Sequence, residues 1–199
     1  MCNKLLLEGS DKMKKVLSLL LLFAFSTILF GCNAGTSEVT DSNFRLLISD
    51  APADIADFEY LNVTIASMRI FTEGVDGETS EVREIDVTVD LTQLIGELST
   101  EVLATELTPG TYTKIELVVG SVDAATVSGD TAVIKVPSDK LQILNTFEVV
   151  EGELTTFVFD INIVRKGQGE EYNLLPVISE SGVLGEDLDE SEVEEVDGE

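Results

Sequence analysis

Ile85-Asp-Val-Thr-Val-Asp-Leu91 and Thr156-Phe-Val-Phe-Asp-Ile-Asn-Ile163 decide the fold class. In the first, apolar and polar residues alternate, so a strand puts Ile85, Val87, Val89 and Leu91 on one face. In the second, the same period points Phe157, Phe159, Ile161 and Ile163 inward. A helix would scatter either set around its circumference. Thr113–Val119 repeats the pattern, with Ile115, Leu117 and Val119 as its inward set.

Working outward, further strands are expected at Phe44–Ser49, Tyr60–Phe71, Asp123–Val127, Ala132–Val136, Thr146–Val150 and Asn173–Ile178. Between them stand Asp76-Gly77, Pro109-Gly110, Ser128-Gly129-Asp130 and Glu151-Gly152, where glycine tolerates the positive φ of a tight turn. Leu91, Leu94, Ile95 and Leu98 have helical spacing, continued at Val102 and Leu103 with Gly96 as an interruption. One or two short helices are expected there, capping the end of the molecule. Many short strands separated by turn signals predict an all-β fold, an antiparallel two-sheet β-sandwich. Alternation predicts one buried and one wet face for most strands.

The N-terminal region has a different character. Val16–Phe30 carries no charge and follows Lys12, Lys14 and Lys15. A basic segment followed by an apolar one of this length is a secretory signal pattern. The run is shorter than the roughly 20 apolar residues that span a bilayer core. It ends in Leu29-Phe30-Gly31-Cys32, which resembles the lipobox of bacterial lipoproteins. That resemblance implies diacylglyceryl transfer to the Cys32 thiol and cleavage between Gly31 and Cys32. Phe30 is larger than the residue usual at its position. A thiolate suits the transfer chemistry because it is a good nucleophile. More than one acyl chain makes an anchor stable, each buried CH₂ contributing about 0.8 kcal/mol. The expected organisation is a signal-peptide helix over residues 1–31, with Met13 as an alternative start, and a lipidated cysteine and tether over 32–43. The sandwich follows over 44–182, and an acidic, disordered tail over 183–199. The expected location is the cell envelope, with the domain in the aqueous phase.

Composition narrows the chemistry. The chain has no histidine, so Ser-His-Asp and Cys-His sites are excluded, as is the usual His-containing zinc site. It has two cysteines, Cys2 before the expected cleavage point and Cys32 at it, which leaves none to pair in the folded domain. Twelve basic residues stand against 38 acidic ones, a net charge of −26. Such a field repels phosphate backbones, so nucleic acid is not an expected partner. It favours cations, basic proteins or neutral glycans. The expected partners are the membrane, through the anchor, and an envelope protein or glycan.

Five segments stand out together: Ser49-Asp50-Ala51-Pro52-Ala53, Val89-Asp90-Leu91, Pro109-Gly110-Thr111-Tyr112-Thr113, Lys135-Val136-Pro137-Ser138 and Leu175-Pro176-Val177-Ile178. In order and spacing they resemble a family of bacterial and archaeal exported proteins, domain of unknown function 4382. The Pro-Gly-Thr-Tyr-Thr segment also resembles strands of transthyretin-like sandwich modules. The resemblance implies a sandwich and an exported location, and no reaction.

Carboxylates are the remaining candidates for chemistry. Asp50, Asp54 and Asp57, with Asp90 near them, could supply oxygen ligands to calcium. No Asp-x-Asp-x-Asp-Gly loop is present, so turn-forming and capping roles compete with that reading. No other cofactor is expected. The acidic Glu73–Glu81 segment reads as a solvated hairpin loop, and Asn62-Val-Thr64 as strand rather than glycosylation site. A carboxylate hydrolase needs two acids at set separations, and the lack of tryptophan removes the usual sugar-stacking platform. The leading expectation is a non-enzymatic interaction or structural module. A calcium-dependent adhesive or glycan-binding domain is the alternative, and a carboxylate hydrolase comes third.

Overall fold

The computed structural model describes residues 42–50, 54–74, 77–96, 98–188 and 194–195. The expected signal peptide, Gly31, Cys32 and the tether up to residue 41 lie outside the described residues. Among the described residues, eleven strands form two sheets. They are β1 Phe44–Asp50, β2 Phe58–Gly74, β3 Gly77–Asp90, β4 Leu98–Thr105, β5 Gly110–Thr126 and β6 Val133–Lys135. Then come β7 Lys140–Val149, β8 Thr155–Arg165, β9 Glu171–Pro176, β10 Gly182–Val183 and β11 Glu194–Glu195. One sheet has the order β11-β4-β1-β8-β9-β6, with β10 also on β8, and the other is β3-β2-β5-β7. Their inner faces share one core that includes Phe44, Ile48, Leu61, Ile115, Phe157 and Phe159. The all-β sandwich expected from the alternation is the architecture observed.

The alternation sets hold with one gradation. Phe157, Phe159, Ile161 and Ile163 are fully buried, as are Ile115 and Leu117. Ile85 and Val87 are only half-buried, because β3 is the edge of its sheet. That edge is bent: Ile85 and Asp86 together oppose Ala66, and Asp86 has φ 53°. A bulge at an edge strand discourages pairing with another chain.

Three expectations are corrected. Of the one or two short helices expected across Leu91–Leu103, one 3₁₀ turn forms at Leu91–Gln93, while Leu98–Thr105 is strand β4. Gly96, at φ +86°, ends the helical spacing, and β1 takes Ser99–Thr105 as its antiparallel neighbour. Pairing to a central strand outweighs local helical spacing. The sheets are also not wholly antiparallel. β1 runs parallel to β8, with Phe44 opposite Thr155 and Asp50 opposite Ile161, and β6–β9 and β11–β4 are parallel too. Strands far apart in sequence are free of the antiparallel constraint of a hairpin. Finally, the two strands expected at Thr113–Val119 and Asp123–Val127 are one, β5, which passes Gly120 without a break. A Cβ there would lie 3.4 Å from that of Ala66. This glycine therefore marks a close approach of two strands rather than a turn.

β1 and β8 are buried on both faces. Leu47 and Val158, paired in register and directed away from the core, are 2% and 1% exposed. Near-continuous apolar runs belong to strands covered on both sides. Residues on either side of the 44–182 span also pack onto the sandwich. Asn43 exchanges two hydrogen bonds with the backbone of Leu107, at 2.8 and 2.9 Å. Val183, placed by the sequence reading at the start of the tail, is buried in β10, and Asp187 Oδ2 accepts its backbone N–H at 3.0 Å. Gly182 permits this turn: a Cβ there would stand 2.5 Å from the Asp187 side chain. Glu195, in β11, pairs with Arg45.

Candidate functional site

The end of β1 and the segment after it carry the three aspartates expected as a calcium site. The structure gives them two different environments. Ile55–Asp57 forms a 3₁₀ turn that reverses the chain from β1 into β2. Asp54 Oδ2 accepts the backbone N–H of Arg165 at 2.6 Å. Asp57 Oδ2 accepts from Arg165 Nη2 at 2.7 Å and from the Tyr172 hydroxyl at 3.1 Å. The Arg165 guanidinium also lies 5.0 Å from the centroid of the Tyr172 ring. Asp54 and Asp57 therefore tie the β1–β2 turn to the ends of β8 and β9. Burial, and then the hydrogen bond and charge of Asp57, raise the Tyr172 phenol above its ordinary range. The bond to Asp57 also holds the Arg165 proton more firmly.

Asp50 has no such partners. It ends β1, lies between Ile95 and Ile161, and is 0% exposed. Neither carboxylate oxygen has a hydrogen-bond partner among the described residues. Burial, and secondarily the charge of Asp160, push its carboxyl up to about 8. Asp160, on β8, accepts the Ser49 hydroxyl at 2.7 Å. Its backbone N–H donates to Ser181 Oγ at 2.9 Å, and that hydroxyl donates in turn to the Val177 carbonyl at 2.6 Å.

Asp90, the fourth acid considered, is a cap. Its Oδ1 accepts from the backbone N–H groups of Leu61 and Thr92 and from the Thr92 hydroxyl, at 2.8–3.1 Å. Among the described residues, no three acids, histidines or cysteines come together as a metal-holding group. The Glu73–Glu81 segment is mostly strand: Gly74 faces Gly77, Glu73 faces Glu78 and Thr72 faces Thr79.

The sequence reading singled out the Pro109–Thr113 segment but assigned it no role. Tyr112 is fully buried, and its hydroxyl reaches the Thr108 carbonyl at 2.8 Å and Glu81 Oε1 at 3.0 Å. A buried tyrosine bonded to the backbone a few residues upstream has the geometry of a sandwich tyrosine corner. Its ring stacks on Phe147, with centroids 5.8 Å apart. Burial and Glu81 raise this phenol too. Glu81 is held on its other side by Arg83 at 2.8 Å.

Beside Tyr112 opens a cleft of about 500 Å³ lined by Thr72, Thr79, Ser80, Glu81 and Thr111. A second, of about 530 Å³, is lined by Ser42, Asn43, Glu106, Glu151, Glu153 and Leu154, and Pro109 borders both. Both clefts offer hydroxyl groups and carboxylates, and the second adds one exposed leucine. Sequence reasoning missed Arg165 and Glu81. The signal for Arg165 was present: a cation directly after a strongly apolar strand, in a chain poor in cations.

The family model for a domain of unknown function, DUF4382, matches residues 41–176. No curated protein and no solved structure matches the chain.

Proposed function

The chain belongs to the DUF4382 family, and from that premise we propose that it is a lipid-anchored envelope protein whose β-sandwich is a non-enzymatic interaction or structural module. The observation that carries this reading is Leu29-Phe30-Gly31-Cys32, a lipobox-like sequence at the end of an apolar run that follows three lysines. Acylation at Cys32 and cleavage after Gly31 would leave a short polar tether leading to Asn43. The acidic surface favours cationic proteins or neutral glycans as partners.

The non-enzymatic part draws support from where the carboxylates lie. Asp54 and Asp57 are engaged by Arg165, Asp90 caps a turn, and Glu81 braces Tyr112 and Arg83. Each serves a contact within the fold. The adhesive alternative, with calcium as ligand, would have to rest on Asp50.

Metabolic labelling of the full chain with palmitate, followed by membrane fractionation, tests the anchor. The wild type is expected in the membrane fraction with label, and Cys32→Ser without label. Unlabelled wild-type protein in the soluble fraction would sink the proposal.

A further inference from the structure

We propose that Asp50 is a built-in proton site: the folded domain holds this side chain as a neutral carboxylic acid, and its ionisation couples stability to rising pH. This inference is independent of lipid anchoring.

The geometry carries it. A carboxylate taken out of water needs hydrogen-bond donors or a counter-cation. Asp50 is 0% exposed and neither oxygen accepts a hydrogen bond among the described residues. Its neighbours across the sheet are Ile95 on one side and Ile161 on the other. The acid that acts on it from β8 is Asp160, whose charge raises the cost of ionising Asp50. Farther along, the side chains of Asp54 and Asp57 are engaged by Arg165. Asp90, next to the Leu91–Gln93 turn, is taken up by Leu61 and Thr92. With neither oxygen partnered among the described residues, a proton is the means of neutralising this group. Its upward displacement from 3.8 agrees with that environment.

The sign follows from proton linkage. The folded carboxyl holds its proton more tightly than the unfolded one. Its contribution is therefore complete below about pH 4, declines as the pH rises from there, and is gone above about pH 8. An ordinary carboxylate titrates at about pH 4, and the chain has no histidine. Between pH 6 and 8 Asp50 is thus the side chain expected to dominate the pH dependence. One proton bound by the folded state alone changes the folding equilibrium constant about tenfold per pH unit.

The test is urea denaturation of the full-length chain in detergent from pH 5 to 9, for wild type and Asp50→Asn, alongside NMR titration of the aspartate carboxyl carbons in the wild type. The expected result is a folding constant that falls about tenfold per unit between pH 6 and 8 in the wild type and stays flat in Asp50→Asn. One carboxyl carbon should titrate near pH 8. The NMR arm stands even if the variant fails to fold. Equal slopes in the two proteins, or all carboxyl carbons titrating below pH 6, would overturn the proposal. A calcium-dependent rise in midpoint that Asp50→Asn abolishes would also overturn it, assigning the position to a cation.

Discussion

Tyr112 shows how a single hydroxyl can hold a loop. The ring is fully buried among Phe147 and its neighbours, and the hydroxyl reaches back to Thr108 while meeting Glu81 from β3. Replacing the phenol by phenyl keeps the packing and removes the donor to the Thr108 carbonyl and to Glu81. Tyr112→Phe is expected to cost about 1–2 kcal/mol, read from urea denaturation midpoints. A loss below about 0.3 kcal/mol would mean that water replaces the phenol at no cost. Nothing in the sequence marks Glu81 as the partner, since 31 residues separate it from Tyr112. The tyrosine between a Pro-Gly turn and an apolar strand was visible, and its bond was not.

At the scale of elements, the Pro137–Asp139 turn is the most strained described segment. Ser138 and Asp139 have φ of 59° and 55°, although neither is glycine. A left-handed residue with a Cβ costs roughly 1–2 kcal/mol. Part of that is recovered by replacing it with glycine, whose greater freedom when unfolded offsets the rest. Ser138 is exposed and loses no packing. Ser138→Gly should therefore raise stability by about 0.5–1 kcal/mol, seen as a higher thermal midpoint. An unchanged or lower midpoint would show that the turn is not under strain. The Leu98–Thr105 segment teaches the opposite lesson about legibility. Its apolar spacing reads as helix, yet β1 recruits it as a strand, with Ser49 opposite Ser99 and Phe44 opposite Thr105. The edge of β1 is a tertiary demand that local periodicity does not record.

For the molecule as a whole, β8 is the hub. It pairs with β1, β9 and β10, and its inward face supplies Phe157, Phe159, Ile161 and Ile163, all fully buried. Phe147 packs against Phe157 with the rings tilted by 45° and centroids 5.2 Å apart, linking this sheet to β7 of the other. Removing a ring at the centre of such a core leaves a cavity that the two sheets cannot close. Phe159→Ala is expected to lower unfolding free energy by about 3–5 kcal/mol. A loss under about 1 kcal/mol would show that the sandwich repacks around the gap. The aspartates after β1 also make sense only at this scale. In sequence Asp50, Asp54 and Asp57 form a group. In space two of them meet Arg165, more than 100 residues away, and the third is closed off between two sheet neighbours.

The all-β class, most strand positions, the inward sets of β5 and β8, and the exclusion of histidine chemistry are all legible in the residues alone. These follow from local period and composition, which a strand carries wherever it is placed. The parallel pairing of β1 with β8, the strand at Leu98–Thr105 and the division of the three aspartates emerge once the chain is folded. Each of those depends on which distant segment lies alongside. The free energy of burying a carboxylate, or of leaving a strand edge unpaired, is set by that neighbour and not by the residues adjoining in the chain.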